Sequence, residues 1–316
     1  MNALLEVVHE TRYDYTAPVS LAHHLAHLRP VEDAHQSLLA FSLAIDPPPA
    51  QRRDGMDTMG NATCHFSLAQ PHECLAVQTV SCLRVASRFA DLQADASPAW
   101  DALAARLRYE ARAPFEPALE FALPSTYVPR LPGLLSYGDA LFRPGRPVAA
   151  LAIELMRRIH ADFRYESRST DIDTPLTTVL RDRRGVCQDF AHLMAGVLRM
   201  RGVPARYVSG YLLTWAPEGG AVMLGADASH AWVQVWCPDT PGVPVSGSGG
   251  AWLDLDPTND VVPGSGHVRV AVGRDFGDVT PLRGVIRGGG HHRLTVGVTT
   301  RAFPPQAANP ERELLA

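Results

Sequence analysis

Cys187 lies in "RRGVCQDFAHLMAGVLRMRG", just behind Gly185 and at the mouth of a helical pattern. Phe190, Leu193, Met194, Val197 and Leu198 recur at the spacing of one helix face, and Gly202 and Pro204 end the run. A thiol in the first turn of that helix meets unsatisfied backbone N–H groups and the positive end of the helix dipole. Both favour a thiolate. The same N–H groups can hold the oxygen of a tetrahedral intermediate, and Gly185 gives room for a substrate backbone. Nucleophilic catalysis is the chemistry this suits.

A nucleophilic thiol needs a base, and two histidines compete. His192 is five residues further along the same helix, roughly 140° around its axis from the thiol, so it points away. His230 opens "SHAWVQVW", a strand in which His230, Trp232, Gln234 and Trp236 share one face. Packed against the cysteine's helix, that strand brings imidazole to sulfur, and His230 is the preferred base. The base needs an orienting carboxylate. "AWLDLDPTN" offers Asp254 and Asp256 on one strand face. Antiparallel pairing that matches Trp236 with Trp252 sets Gln234 opposite Asp254 and Trp232 opposite Asp256. Asp256 is then closer to His230, and Asp254 reads as a solvated or structural carboxylate.

The elements that must position these groups form two domains. Residues 1–88 carry short, often alternating segments, among them "LLEVVHETRYDY", "QSLLAFSLAIDP" and "LAVQTVSCLRVA", separated by Pro, Gly, Asn and Asp clusters. They predict a β-rich, sandwich-like domain, with "DGMDTMGN" as a turn-rich link between strands. Residues 89–145 form a connecting region with one helix near Pro98–Glu110, expected to lie over the second domain. Residues 146–302 begin with a helix after Pro147 and continue with "ARYVSGYLLT", "SHAWVQVW", "AWLDLD", "HVRVAVG" and a C-terminal strand, "HRLTVGVTT". Helices first and antiparallel strands afterwards make this domain α+β. Residues 303–316 are a tail.

Composition narrows the partners. With 316 residues, 46% of them hydrophobic, the chain can bury a core without a metal or disulfide staple. A net charge of −4 gives no footprint for nucleic acid, and all 29 basic residues are arginine. The acidic residues near the start do not suit a secretory signal, and no apolar run suits a membrane span, so the expected location is cytoplasmic. Cys64, Cys74, Cys82 and Cys237 read as free, structural thiols. His23, His24 and His27, and the pair His72 and Cys74, have only loose metal-ligand spacing, so no metal site is expected. His291 and His292 follow three glycines and are expected to be mobile.

"GVCQDFAHL", "SHAWVQVW" and "LDPTN", in that order, resemble the core of the transglutaminase-like superfamily. "RYDY", "LRP", "DTMGN" and "AQPHECLAV" resemble the N-terminal β domain of its bacterial members. The resemblance implies a papain-like fold, with the thiol-bearing helix packed on an antiparallel sheet that carries histidine and aspartate. It implies a Cys187–His230–Asp256 triad acting on a peptide or protein substrate, with no cofactor. The expected reaction is thioester-mediated hydrolysis of a peptide or carboxamide bond. Acyl transfer to an amine, favoured if Trp232, Trp236, Tyr207 and Tyr211 form a slot that excludes water, is the alternative, and a catalytically silent binding module is the second.

Overall fold

In a computed structural model of the chain, residues 2–108, 110–112, 114–167, 169–214, 229–246 and 250–303 are described. The N-terminal part is β1 (Asn2–Ala26), β2 (Gln36–Asp46), β3 (Gln51–Met56), β4 (Ala62–Leu68) and β5 (His72–Ala86). β1 organises them. Its first half pairs with β5, and its second half, beyond an irregularity between Asp14 and Val19 that contains Pro18, pairs with β4. Proline offers no ladder N–H, so the break falls where pairing is dispensable. Tyr15, Val19, Phe66, Leu68, Leu75 and Val77 fill the space inside this curled sheet.

Next come α1 (Trp100–Arg106), α2 (Pro132–Gly138), α3 (Val148–Asp162), β6 (Arg164–Tyr165), α4 (Leu176–Asp182), β7 (Arg184–Gly185) and α5 (Cys187–Met200). A second antiparallel sheet follows, from β8 (Ala205–Leu212), β9 (His230–Trp236), β10 (Val245–Ser246), β11 (Gly250–Leu255) and β12 (His267–Gly273). Its strand order is β10-β11-β9-β8-β12. A β-rich N-terminal part followed by a helix-on-sheet core is the α+β architecture expected. The connecting region packs on the core: Leu134, Tyr137 and Leu141 join the cluster that holds Phe190, Leu193 and Val197. Gly196 lets α2 come close to α5, since a Cβ there would lie 2.8 Å from Leu134 Cδ1. The helix α5 is thus buried on nearly all sides, beyond the single stripe its apolar spacing indicates.

The chain closes with α6 (Phe276–Val279), β13 (Leu282–Gly288) and β14 (His292–Ala302). Here the structure departs from the expectation that the C-terminal strand belongs to the core. Both β13 and β14 pair antiparallel with β1, along its second and first halves respectively. The reason is backbone satisfaction: β4 and β5 cover one edge of β1, and its other edge needs partners too. His292, expected to be mobile, falls within a strand. It opens β14, with its ring 5.7 Å from that of Tyr13. The three preceding glycines, at φ of 95°, 87° and 62°, supply the left-handed turn. β3 is an exposed edge strand without apolar alternation, and it takes in Asp54–Met56, the start of the stretch expected to be a turn-rich link. No helix among the described residues is long and apolar enough to cross a membrane.

The two sheets share one continuous core that includes Leu5, Val7, Leu83 and Val85 as well as Tyr211 and Val233. His9 bridges them, its Nδ1 lying 2.9 Å from Tyr211 Oη. Burial pushes His9 down to about 4 and His192 down to about 3, so both are neutral at pH 7. The unfolded chain, with ordinary histidines near 6.5, binds protons below that pH that the native state refuses. Stability is therefore expected to fall on acidification from about pH 6.5 to about pH 4.5, by up to ~1.4 kcal/mol per pH unit for each histidine. Urea midpoints across that range check this, and glutamine at both positions should flatten the slope.

Candidate active site

Cys187 is the first residue of α5, and three local features hold it there. Arg183 takes a left-handed φ of 52° to end α4, β7 then pairs in parallel with β6, and Val186 enters the helix extended. The Asp189 carboxylate turns back onto the helix start, accepting the Val186 N–H at 2.8 Å and the Thr170 hydroxyl at 2.6 Å. Gly185 serves this cap: a Cβ there would lie 2.7 Å from Asp189 Oδ2. The space expected for a substrate backbone is thus taken by Asp189. The Asp189 and Phe190 amides bond to the Val186 carbonyl, so the Cys187 and Gln188 amides are the first of the helix.

The sheet supplies the other two groups. β9 and β11 adopt the expected register, with Trp236 opposite Trp252, Gln234 opposite Asp254 and Val233 opposite Leu255. Trp232 packs on Gly210 of β8, where a Cβ would lie 2.4 Å from the indole. That ring backs His230 at 6.1 Å. His230 and Asp256 are both fully buried, and His230 Nε2 lies 2.9 Å from Asp256 Oδ2. His230 Nδ1 is buried without a hydrogen-bond partner, and Cys187 stands close enough for its charge to bear on the ring. Burial works against the imidazolium, but the charge of Asp256 and then of Cys187 outweighs it and holds His230 well above its ordinary value.

Asp256 collects more donors than the sequence announces. Its Oδ2 also accepts from Asn259 Nδ2 at 2.8 Å and from His267 Nε2 at 3.2 Å. Its Oδ1 accepts the backbone N–H groups of Thr258 at 2.9 Å and Asn259 at 3.3 Å. Burial pushes its carboxyl up, yet the charge and hydrogen bond of His230 and the bond from His267 hold it far below the ordinary carboxylate range. His267 and Asn259 carry no sequence signal of this role beyond the two-residue step from "LDP" to Asn259. His267 belongs to β12, at the far side of the sheet order, and only the fold brings it in.

The structure thus gathers Cys187, His230 and Asp256 and leaves the other candidates elsewhere. Asp254 faces Arg269, 3.8 Å from its Nε. His192 stacks on Tyr127 at 5.6 Å and accepts the Phe276 N–H at 3.1 Å, a packing role. Trp232, Trp236, Tyr207 and Tyr211 are core side chains, not the walls of an open slot. Burial, and then the nearby Cys187, push the Tyr207 phenol far above its ordinary value, so it stays protonated beside the sulfur. His24 stacks on Phe66 at 4.9 Å, His27 meets Thr280 and Asp57, and His72 meets the Gln70 carbonyl. No group of three or more His, Cys, Asp or Glu side chains among the described residues is arranged to hold a metal.

Comparison with known proteins agrees with this architecture. Residues 5–83 match the bacterial transglutaminase-like N-terminal region, and residues 140–257 match the transglutaminase-like superfamily core. An uncharacterized protein of Mycobacterium tuberculosis is 38% identical over 275 residues, covering 86% of this chain and 84% of that protein. One from Mycobacterium leprae is 30% identical over 277 residues, covering 87% and 90%. A protein-glutamine gamma-glutamyltransferase of Pseudomonas aeruginosa is 34% identical over 121 residues, which is 37% of this chain and 17% of that protein. The crystal structure of a candidate cysteine protease from Cytophaga hutchinsonii shares the fold, with a TM-score of 0.70 and 19% identity over 97% of this chain and 92% of that one. The chain belongs to the transglutaminase-like superfamily, with the bacterial N-terminal region ahead of its core.

Proposed function

We propose that this protein is a thiol-dependent enzyme that breaks a peptide or carboxamide bond through a thioester on Cys187. The observation that carries the reading is the fully buried His230–Asp256 pair, bonded at 2.9 Å, whose imidazole also feels the charge of Cys187. The thiolate attacks the carbonyl carbon, and the Cys187 and Gln188 amides hold the oxygen of the tetrahedral intermediate. His230 donates its proton to the departing amine or ammonia as the C–N bond breaks. Neutral His230 then takes a proton from water, whose oxygen attacks the thioester to release the acid and the thiol.

Acyl transfer to an amine uses the same thioester, and the name of the Pseudomonas relative favours it as the second reading. The chain contains no lysine, so it offers no side-chain amine of its own to such a reaction. The test is to incubate the enzyme with glutamine-containing and ordinary peptides in water and with hydroxylamine. Intact-mass analysis should find an acyl adduct that is absent in Cys187→Ala. Acid product from water indicates hydrolysis, and hydroxamate formed in large excess over acid indicates a transferase. If reactive peptide analogues, such as peptide aldehydes, also fail to modify Cys187, the protein is a silent binding module and the proposal falls.

A further inference from the structure

We propose that the cavity between the N-terminal sheet and the outer face of the core sheet binds a small organic monocarboxylate, with its charged end on three arginines and its apolar body on Trp252. The cavity, about 430 Å³, is lined by Arg88 just beyond β5, Arg206 on β8 and Arg269 on β12. That volume suits a small ligand. Arg88 holds both oxygens of Asp33 at 2.8 Å, and Arg269 reaches Asp33 at 3.1 Å and Asp254 at 3.8 Å. Three guanidiniums therefore face two carboxylates. Glu32, also on the wall, is drawn outward to Arg29 at 3.4 Å.

The surplus cation is Arg206. It is 7% exposed, donates Nε–H to Gln234 Oε1 at 2.6 Å, lies 4.2 Å over the Trp252 ring and forms no ion pair among the described residues. Burial, and after it the charge of Arg269, push Arg206 down to about 9 against the weaker pull of Asp254. A buried cation of this kind is costly unless an anion joins it. Donors are waiting. Arg88, with a side chain only 7% exposed, has Nη2 buried without a partner, as does Gln234 at Nε2. Guanidinium forks match a carboxylate in geometry, and one negative charge balances the count. Trp252, Phe89 and Met59 supply the apolar wall, which a bare inorganic anion would leave unused. These residues are separate from the thiol, histidine and aspartate of the proposed reaction.

The test is calorimetric titration of the intact chain with phenylacetate, phenylacetamide and inorganic phosphate at low salt. Phenylacetate should bind one to one, with phenylacetamide at least about tenfold weaker, as expected when a charge-assisted hydrogen bond is lost. Arg206→Gln should weaken phenylacetate by at least about tenfold. Should that variant fold poorly, Ala34→Trp at the exposed rim should block binding while every arginine remains. Cys187→Ala should bind as the parent does. Equal affinity for the amide, no binding of phenylacetate, phosphate binding as tightly as phenylacetate, or loss of binding in Cys187→Ala would each overturn the assignment.

Discussion

Asp256→Ala is expected to unfold the site as well as silence it. The carboxylate accepts from His230, His267 and Asn259 side chains and from two backbone amides, all in a fully buried position. Alanine leaves those donors unpaired and removes the partner of a buried cation, at a cost of about 3–5 kcal/mol. Urea denaturation measures it. Asp256→Asn separates the two effects, since it keeps the size but sets an amide against the imidazole. That variant should retain most of the stability and lose roughly a thousandfold or more in acyl-enzyme formation, because His230 is no longer held in the right tautomer. Normal turnover in Asp256→Asn would remove this carboxylate from the mechanism.

His230→Ala is expected to lower acyl-enzyme formation by about 10²- to 10⁴-fold, the usual worth of a positioned general acid and base. The chain carries its own controls. Cys64 is pushed up to about 11 by burial, Cys237 far higher by the same cause, and Cys82 is buried. Cys74 is half-buried like Cys187, but burial and the charge of Asp14 raise its thiol against the pull of Arg12. Two thiols of comparable exposure thus differ in whether an imidazolium stands beside them. Iodoacetamide at neutral pH should label Cys187 well ahead of Cys74 in the parent chain, and His230→Ala should erase the lead. Equal labelling in the parent would count against a Cys187–His230 pair.

Much of this site could be read from spacing. The helical run after Cys187, the alternation in "SHAWVQVW" and the two-residue step from Asp254 to Asp256 specify local geometry, and a single pairing of tryptophans sets the register between β9 and β11. What was not legible depends on contacts distant in sequence. His267 lies on β12, and nothing in "HVRVAVG" says that this strand reaches Asp256. Asp189 looks like an ordinary first-turn acid, and only the fold shows that it fills the space over Gly185. β14 reads correctly as a strand, but alternation does not name its partner, and the open edge of the long β1 took it from the core.

The central claim is that Cys187 and His230 act as one nucleophile–base pair, and the rate of iodoacetamide alkylation at Cys187, compared between the parent chain and His230→Ala, tests it most directly. The raised His230 sets the sign: its positive charge is present at low and neutral pH and fades only as alkaline pH removes the proton. The account predicts faster alkylation at neutral pH in the parent than in His230→Ala. Equal rates in the parent and in His230→Ala would contradict it.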